Sequence, residues 1–116
     1  LNRLSSSADA LGKLRTDLRA KYPEDTFYRR DAFRSDFAAY ADQTLCVAQS
    51  LQQVPTPNAR FGDADARLDA ALADLIEHTR AGREAVRARN VSDYRKWFKD
   101  VDAKLAAVRE AAAIQR

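Results

Sequence analysis

The chain has no methionine, one cysteine, one histidine, one tryptophan, and only three glycines and three prolines in 116 residues. The single cysteine excludes an intramolecular disulfide framework and any cysteine-based zinc site. The single histidine excludes a histidine-rich metal centre, and no Glu-x-x-His pair exists to build a di-iron site between helices. Three scattered glycines make no phosphate-cradling loop. No Ser/His/Asp set and no pair of catalytic carboxylates can be assembled, so neither an enzyme nor a cofactor is expected. No stretch approaches the roughly 18 consecutive apolar residues that span a membrane. Without methionine, the first residue is expected to follow processing or excision, as in a mature exported protein, a domain of a larger receptor, or a domain cut from a larger cytoplasmic protein.

What is present favours helix. Alanine is abundant, and the shortage of glycine and proline leaves few turns. Hydrophobic residues make up 46% and charged residues 32%, the balance of a folded chain rather than a disordered one. The length suits one domain by the usual measure of about 100–200 residues. Arginine outnumbers lysine 15 to 5, which with the alanine richness points to a GC-rich bacterial genome. The net charge of +3 is too small to argue for duplex nucleic acid.

Four segments carry apolar residues at alternating spacings of 3 and 4, the mark of an amphipathic helix. The first, residues 6–22, has the series Leu4, Ala8, Leu11, Leu14, Leu18 and Tyr22. Ser5, Ser6 or Ser7 is its expected cap, and Pro23 its stop. The second, residues 26–54, carries Phe33, Phe37, Tyr40, Thr44, Val47, Leu51 and Val54, widened by Ala41, Leu45 and Ala48. Asp25 or Thr26 is its candidate cap, and Pro55 and Pro57 close it. The third, residues 63–89, carries Leu68, Ala71, Leu72, Leu75, Thr79, Gly82 and Val86. Gly82, unfavourable in a helix by about 1 kcal/mol, marks a close approach to a neighbour. Asn90 is the expected terminator. The fourth, residues 93–114, carries Tyr94, Phe98, Val101, Leu105, Val108 and Ala112, with Trp97 at the edge of the stripe. The expected fold is an all-α, antiparallel up-down-up-down four-helix bundle, since short links force neighbours to run antiparallel.

That order gathers six of the ten aromatic residues at the end remote from the termini: Tyr22, Phe27, Tyr28, Tyr94, Trp97 and Phe98. Residues 17–34 and 84–100, which form this half, hold ten cations and seven acids, whereas the remainder is balanced at ten and ten. Two helix N-termini point the same way and favour anions. One reading is a patch for a small anionic or aromatic ligand or a partner protein, built from Tyr22, Phe27, Tyr28, Arg29, Arg30, Tyr94, Arg95, Lys96 and Trp97. The other is a filled end, with arginine and lysine stems laid over the rings. Phe98 belongs to the core, leaving Arg95, Lys96 and Trp97 free to bind. Single-stranded nucleic acid also uses rings among cations, but the interleaved acids argue against it.

Elsewhere, His78 can pair with Asp74 one turn earlier, and Tyr40 needs a partner for its hydroxyl. Asp63, Asp65 and Asp69 lack the glycine and terminal glutamate of a calcium loop, and read as acids at the start of a helix. Cys46 falls opposite the second stripe, so it is either an inert surface thiol of a monomer or the intermolecular disulfide or subunit contact of a dimer.

The stretch Leu75-Ile76-Glu77-His78-Thr79-Arg80-Ala81-Gly82-Arg83-Glu84-Ala85-Val86, leading by a short turn to Tyr94-Arg95-Lys96-Trp97-Phe98, resembles helical hairpins of small exported helical proteins and lipoproteins of GC-rich bacteria. The four-helix plan is similar to periplasmic sensor domains of bacterial receptors. The resemblance implies an extracytoplasmic, non-enzymatic bundle tethered where its termini meet, presenting the aromatic and basic end to a ligand or protein. A structural module that oligomerises through a helix face near Cys46 is the alternative.

Overall fold

Stripes spaced by 3 and 4 bury one face of each segment, and a computed structural model shows four helices where the four stripes lie. It describes residues 2–22, 31–52 and 62–114. The helices are α1 (Asn2–Lys21), α2 (Asp31–Gln52), α3 (Gly62–Arg87) and α4 (Val91–Ile114). Among the described residues there is no strand, and no helix is long and apolar enough to cross a membrane. Phe27, Tyr28, Arg29 and Arg30, and the expected start and end of the second segment at 26 and 54, lie outside the described residues.

Helix α1 begins four residues before Ser6, so the serines expected to cap it sit inside it. Serine is less favourable than alanine in a helix by well under about 0.7 kcal/mol, too little to break a backbone ladder already running. Arg19 and Lys21 occupy the last turn, where cations suit the negative end of the dipole.

The α3–α4 turn corrects a second expectation. Arg89, not Asn90, takes the left-handed conformation, with φ of 57°. The Arg89 N–H donates to Val86 O (3.1 Å) and the Asn90 N–H to Ala85 O (2.8 Å), which satisfies carbonyls the helix end would leave open. Asn90 instead starts α4, its Oδ1 accepting from the Asp93 N–H at 3.1 Å. A side chain at Arg89 carries a steric penalty that glycine avoids. Arg89→Gly is therefore expected to raise the unfolding free energy by about 0.5–1 kcal/mol, less than the full penalty because glycine also loosens the unfolded chain. Urea denaturation followed by circular dichroism measures it.

Each helix packs on two others: α1 on α2 and α4, and α3 on α2 and α4. The core divides along the helices. One cluster joins Ala8 and Leu11 with Ala48, Leu51, Leu68, Leu72, Leu75, Val108 and Ala111. These come from the first halves of α1 and α3 and the second halves of α2 and α4. The other cluster is aromatic and takes the opposite halves: Leu18, Tyr22, Phe33, Phe37, Tyr40, Val86, Tyr94, Trp97 and Val101. An ion pair of 3.3 Å or less ties each interface. These are Lys21–Asp36 (2.7 Å) between α1 and α2, and Arg83–Asp42 (3.3 Å) between α2 and α3. Lys104–Asp74 (2.8 Å) joins α3 to α4, and Arg19–Asp102 (2.5 Å) joins α1 to α4.

Candidate functional site

The aromatic cluster is built on Trp97. Its ring is 2% exposed, so it is a core residue rather than an edge residue with freedom to bind. The stripe of α4 keeps Tyr94, Val101, Val108 and Ala112 of the expected line but turns Trp97 inward and leaves Phe98 and Leu105 half-buried. The cause lies on α3. A Cβ on Gly82 would stand 2.4 Å from Trp97 Cδ1 and 2.6 Å from Cγ, so the missing side chain is the space that the indole fills. The close approach expected at Gly82 is thus to Trp97.

Around the indole, Phe37 meets it edge-on at 4.7 Å between centroids, and Tyr40 does so at 6.0 Å. Tyr94 and His78 stack on it at 5.9 and 6.2 Å. Tyr22 packs edge-on against Phe33 at 5.0 Å and donates its hydroxyl to Asp36 Oδ2 at 2.6 Å. Edge-to-face and offset pairs of this kind each contribute about 0.5–1.5 kcal/mol beyond burial. His78 does not pair with Asp74, which is held by Lys104; its Nε2 donates to the Trp97 carbonyl at 3.0 Å. Burial pushes the Tyr40 hydroxyl up to about 12, with the nearby Arg15 charge pulling the other way.

Gly82→Ala tests the fit. Overpacking adds about 2 kcal/mol of strain against a rigid ring, and alanine returns about 1 kcal/mol of helix propensity. The expected net loss is about 1 kcal/mol by chemical denaturation. In Gly12→Ala the new Cβ would meet only the mobile tip of Arg109, at 2.6 Å, and the helix gain should prevail.

Outside the cluster the two sides of α4 differ. Between α3 and α4 lies a groove of about 610 Å³, floored by Ala81, Ala85 and Trp97. Its rim carries Glu84, Asp93 and Asp100 against Lys96, so an anion does not fit it. Around the first turns of α4 is an open depression of about 460 Å³ lined by Val91, Ser92, Arg95, Lys96 and Lys99. Among the described residues three cations and no carboxylate line it, beside the positive end of a helix dipole, although Asp93 on the same turn lies 4.0 Å from Lys96 Nζ. Comparison with protein-family models, with curated proteins and with solved structures finds no match.

The structure therefore brings Tyr22, Tyr94 and Trp97 together as buried rings, and leaves Arg95 and Lys96 at the surface. Cys46 is exposed on α2, as its angular position implies. Among the described residues no three His, Cys, Asp or Glu side chains gather in a way that would hold a metal ion. One residue escaped the sequence reading. Arg15 is 4% exposed, with its guanidinium 5.2 Å from the Trp97 centroid and 5.3 Å from that of Phe98. The signal was there: Ala8, Leu11, Arg15, Leu18 and Tyr22 keep the 3 and 4 spacing, with an arginine in an apolar place.

The Lys21–Asp36 tie sets an acid limit. The hydrogen bonds from Lys21 and then Tyr22 hold the Asp36 carboxyl below its usual range. A carboxylate depressed in the folded state stabilises above its ordinary pKa, and that contribution is lost as pH falls through the depressed value. The stability lost between pH 4 and pH 2 should therefore be smaller in Asp36→Asn, which keeps the acceptor for Tyr22 but does not titrate. Urea midpoints across that range measure the change in slope.

Proposed function

We propose that this chain is a non-enzymatic, extracytoplasmic four-helix bundle of antiparallel up-down-up-down order that binds an acidic protein partner at the first turns of α4. The observation that carries the reading is the open depression that Arg95, Lys96 and Lys99 line together on the first turns of α4. Small-molecule sites enclose most of their ligand, whereas this surface is broad and shallow, which favours a macromolecular surface. The rings beneath supply rigidity rather than a stacking face, since Tyr22, Tyr94 and Trp97 are all buried. The antiparallel order is supported by the way opposite halves of successive helices share each core cluster. It sets the basic depression at the end away from the termini, where a tethered domain would present it. The role as a binder rather than a catalyst is supported by His78, whose Nε2 is engaged by a backbone carbonyl. The extracytoplasmic placement rests on the resemblance of the hairpin 75–98 to exported helical proteins.

The test uses a poly-glutamate peptide as probe at low salt. Binding should be saturable and should weaken with ionic strength. It should fall at least tenfold in the triple variant Arg95→Glu, Lys96→Glu, Lys99→Glu, whose circular dichroism should be unchanged because all three side chains are exposed. Equal binding by the variant would overturn the reading.

A further inference from the structure

Helices α1 and α4 face each other across a second groove of about 310 Å³, remote in its lining from the basic depression. Three arginines line it, Arg15, Arg19 and Arg109, against one acid, Asp102. Asp102 Oδ2 is taken by Arg19 at 2.5 Å. Its Oδ1 lies 3.7 Å from Arg15 Nε, close enough for attraction and too long for a hydrogen bond. Arg15 Nε and Nη2 are both buried and have no acceptor. These two nitrogens share one edge of the guanidinium, the edge that grips a carboxylate or phosphate with two parallel bonds.

A buried charged donor without an acceptor is costly, and here burial pulls the Arg15 pKa below its ordinary value. The group is nonetheless held in place by the faces of Trp97 and Phe98. Gly12 opens the groove on the α1 side. Arg109 Nη2 lies 2.6 Å from where a Cβ on residue 12 would be, so the glycine lets that guanidinium lie across the groove. Surplus positive charge and a buried arginine edge without a hydrogen-bond acceptor coincide at this groove.

We propose that the α1–α4 groove is an oxyanion site, taking a carboxylate or phosphate group on the buried, acceptor-less edge of Arg15 as Asp102 moves aside, with Arg19 and Arg109 closing over it. Asp102 is the internal anion that the ligand displaces from Arg19.

The experiment titrates the full chain with inorganic phosphate and, separately, with acetate, at constant ionic strength made up with chloride, reading backbone amide shifts. Saturable shifts in residues 12–19 and 102–109 support the site, and the stronger of the two anions identifies phosphate or carboxylate as the group recognised. Arg109→Gln, at an exposed position, should weaken binding about tenfold, and Asp102→Asn should strengthen it by a similar factor because the competing anion is gone. Heating Asp102→Asn with and without phosphate gives a second readout, in which the anion should raise the midpoint more than in the parent chain. Shifts reproduced by chloride alone, shifts confined to residues 91–99, or an Asp102→Asn chain that binds more weakly would each overturn the proposal.

Discussion

Trp97→Ala should lower the unfolding free energy by about 3–5 kcal/mol, the usual loss when a buried tryptophan is truncated. A chain of this length holds about 6–17 kcal/mol in total, so this one change removes a large share of it. The argument rests on the number of partners left behind. Phe37, Tyr40, Tyr94 and His78 all touch the indole, and the Arg15 guanidinium rests over it. Three helices besides α4 supply those groups, so a cavity there has no single neighbour able to collapse into it. The thermal midpoint should fall by roughly 15 °C. Circular dichroism must follow it, because the variant loses the only tryptophan. Trp97→Phe should lose much less. It keeps a ring for Phe37 and Tyr40, and it removes the indole Nε1, which is buried without a partner. A Trp97→Ala chain within about 1 kcal/mol of the parent would mean that the cluster does not hold the helices together.

The same residue shows where sequence reading stops. The helices were legible because an apolar period of 3 and 4 leaves little choice of partner face, and among the described residues the stripes of α2 and α3 are buried except for the half-buried Val47 and Ala71. The stripe of α4 is wider than one line, since Tyr94, Trp97, Phe98 and Val101 all fall within one half of the helix. Which of Trp97 and Phe98 turns inward is decided on α3, by the space above Gly82. The glycine was legible as a close approach, but its partner was not, because pairing across helices depends on register. Arg89 is a similar case. Asparagine tolerates the left-handed conformation better, yet its side chain is worth more as the cap of α4, and so the turn shifts by one residue. Arg15 was missed for another reason. Spacing counts apolar residues, and a cation at a buried place interrupts the count instead of adding to it.

Arg15→Met should stabilise the chain by about 2 kcal/mol while abolishing the oxyanion site. Replacing a buried ion by a well-packed apolar side chain of similar length is often favourable by about 1–4 kcal/mol. The conditions for a gain are met here. Two of the guanidinium nitrogens have no acceptor, and Arg19 still holds Asp102, so no buried charge is left alone. The loss is the cation over two rings, about 2 kcal/mol when desolvated, and a thioether against Trp97 and Phe98 recovers part of it. Arg15→Ala separates the charge from the volume. It removes the same orphaned donors and leaves a cavity, so it should fall below the methionine variant by about 2 kcal/mol. Stability from urea denaturation and phosphate binding from amide shifts should then move in opposite directions for Arg15→Met. A methionine chain less stable than the parent would show that the guanidinium is satisfied in solution, by water or by Asp102, and that its edge is not open to a ligand. A more stable chain that no longer binds phosphate would mean that the arginine is kept at the expense of the fold, for what it holds.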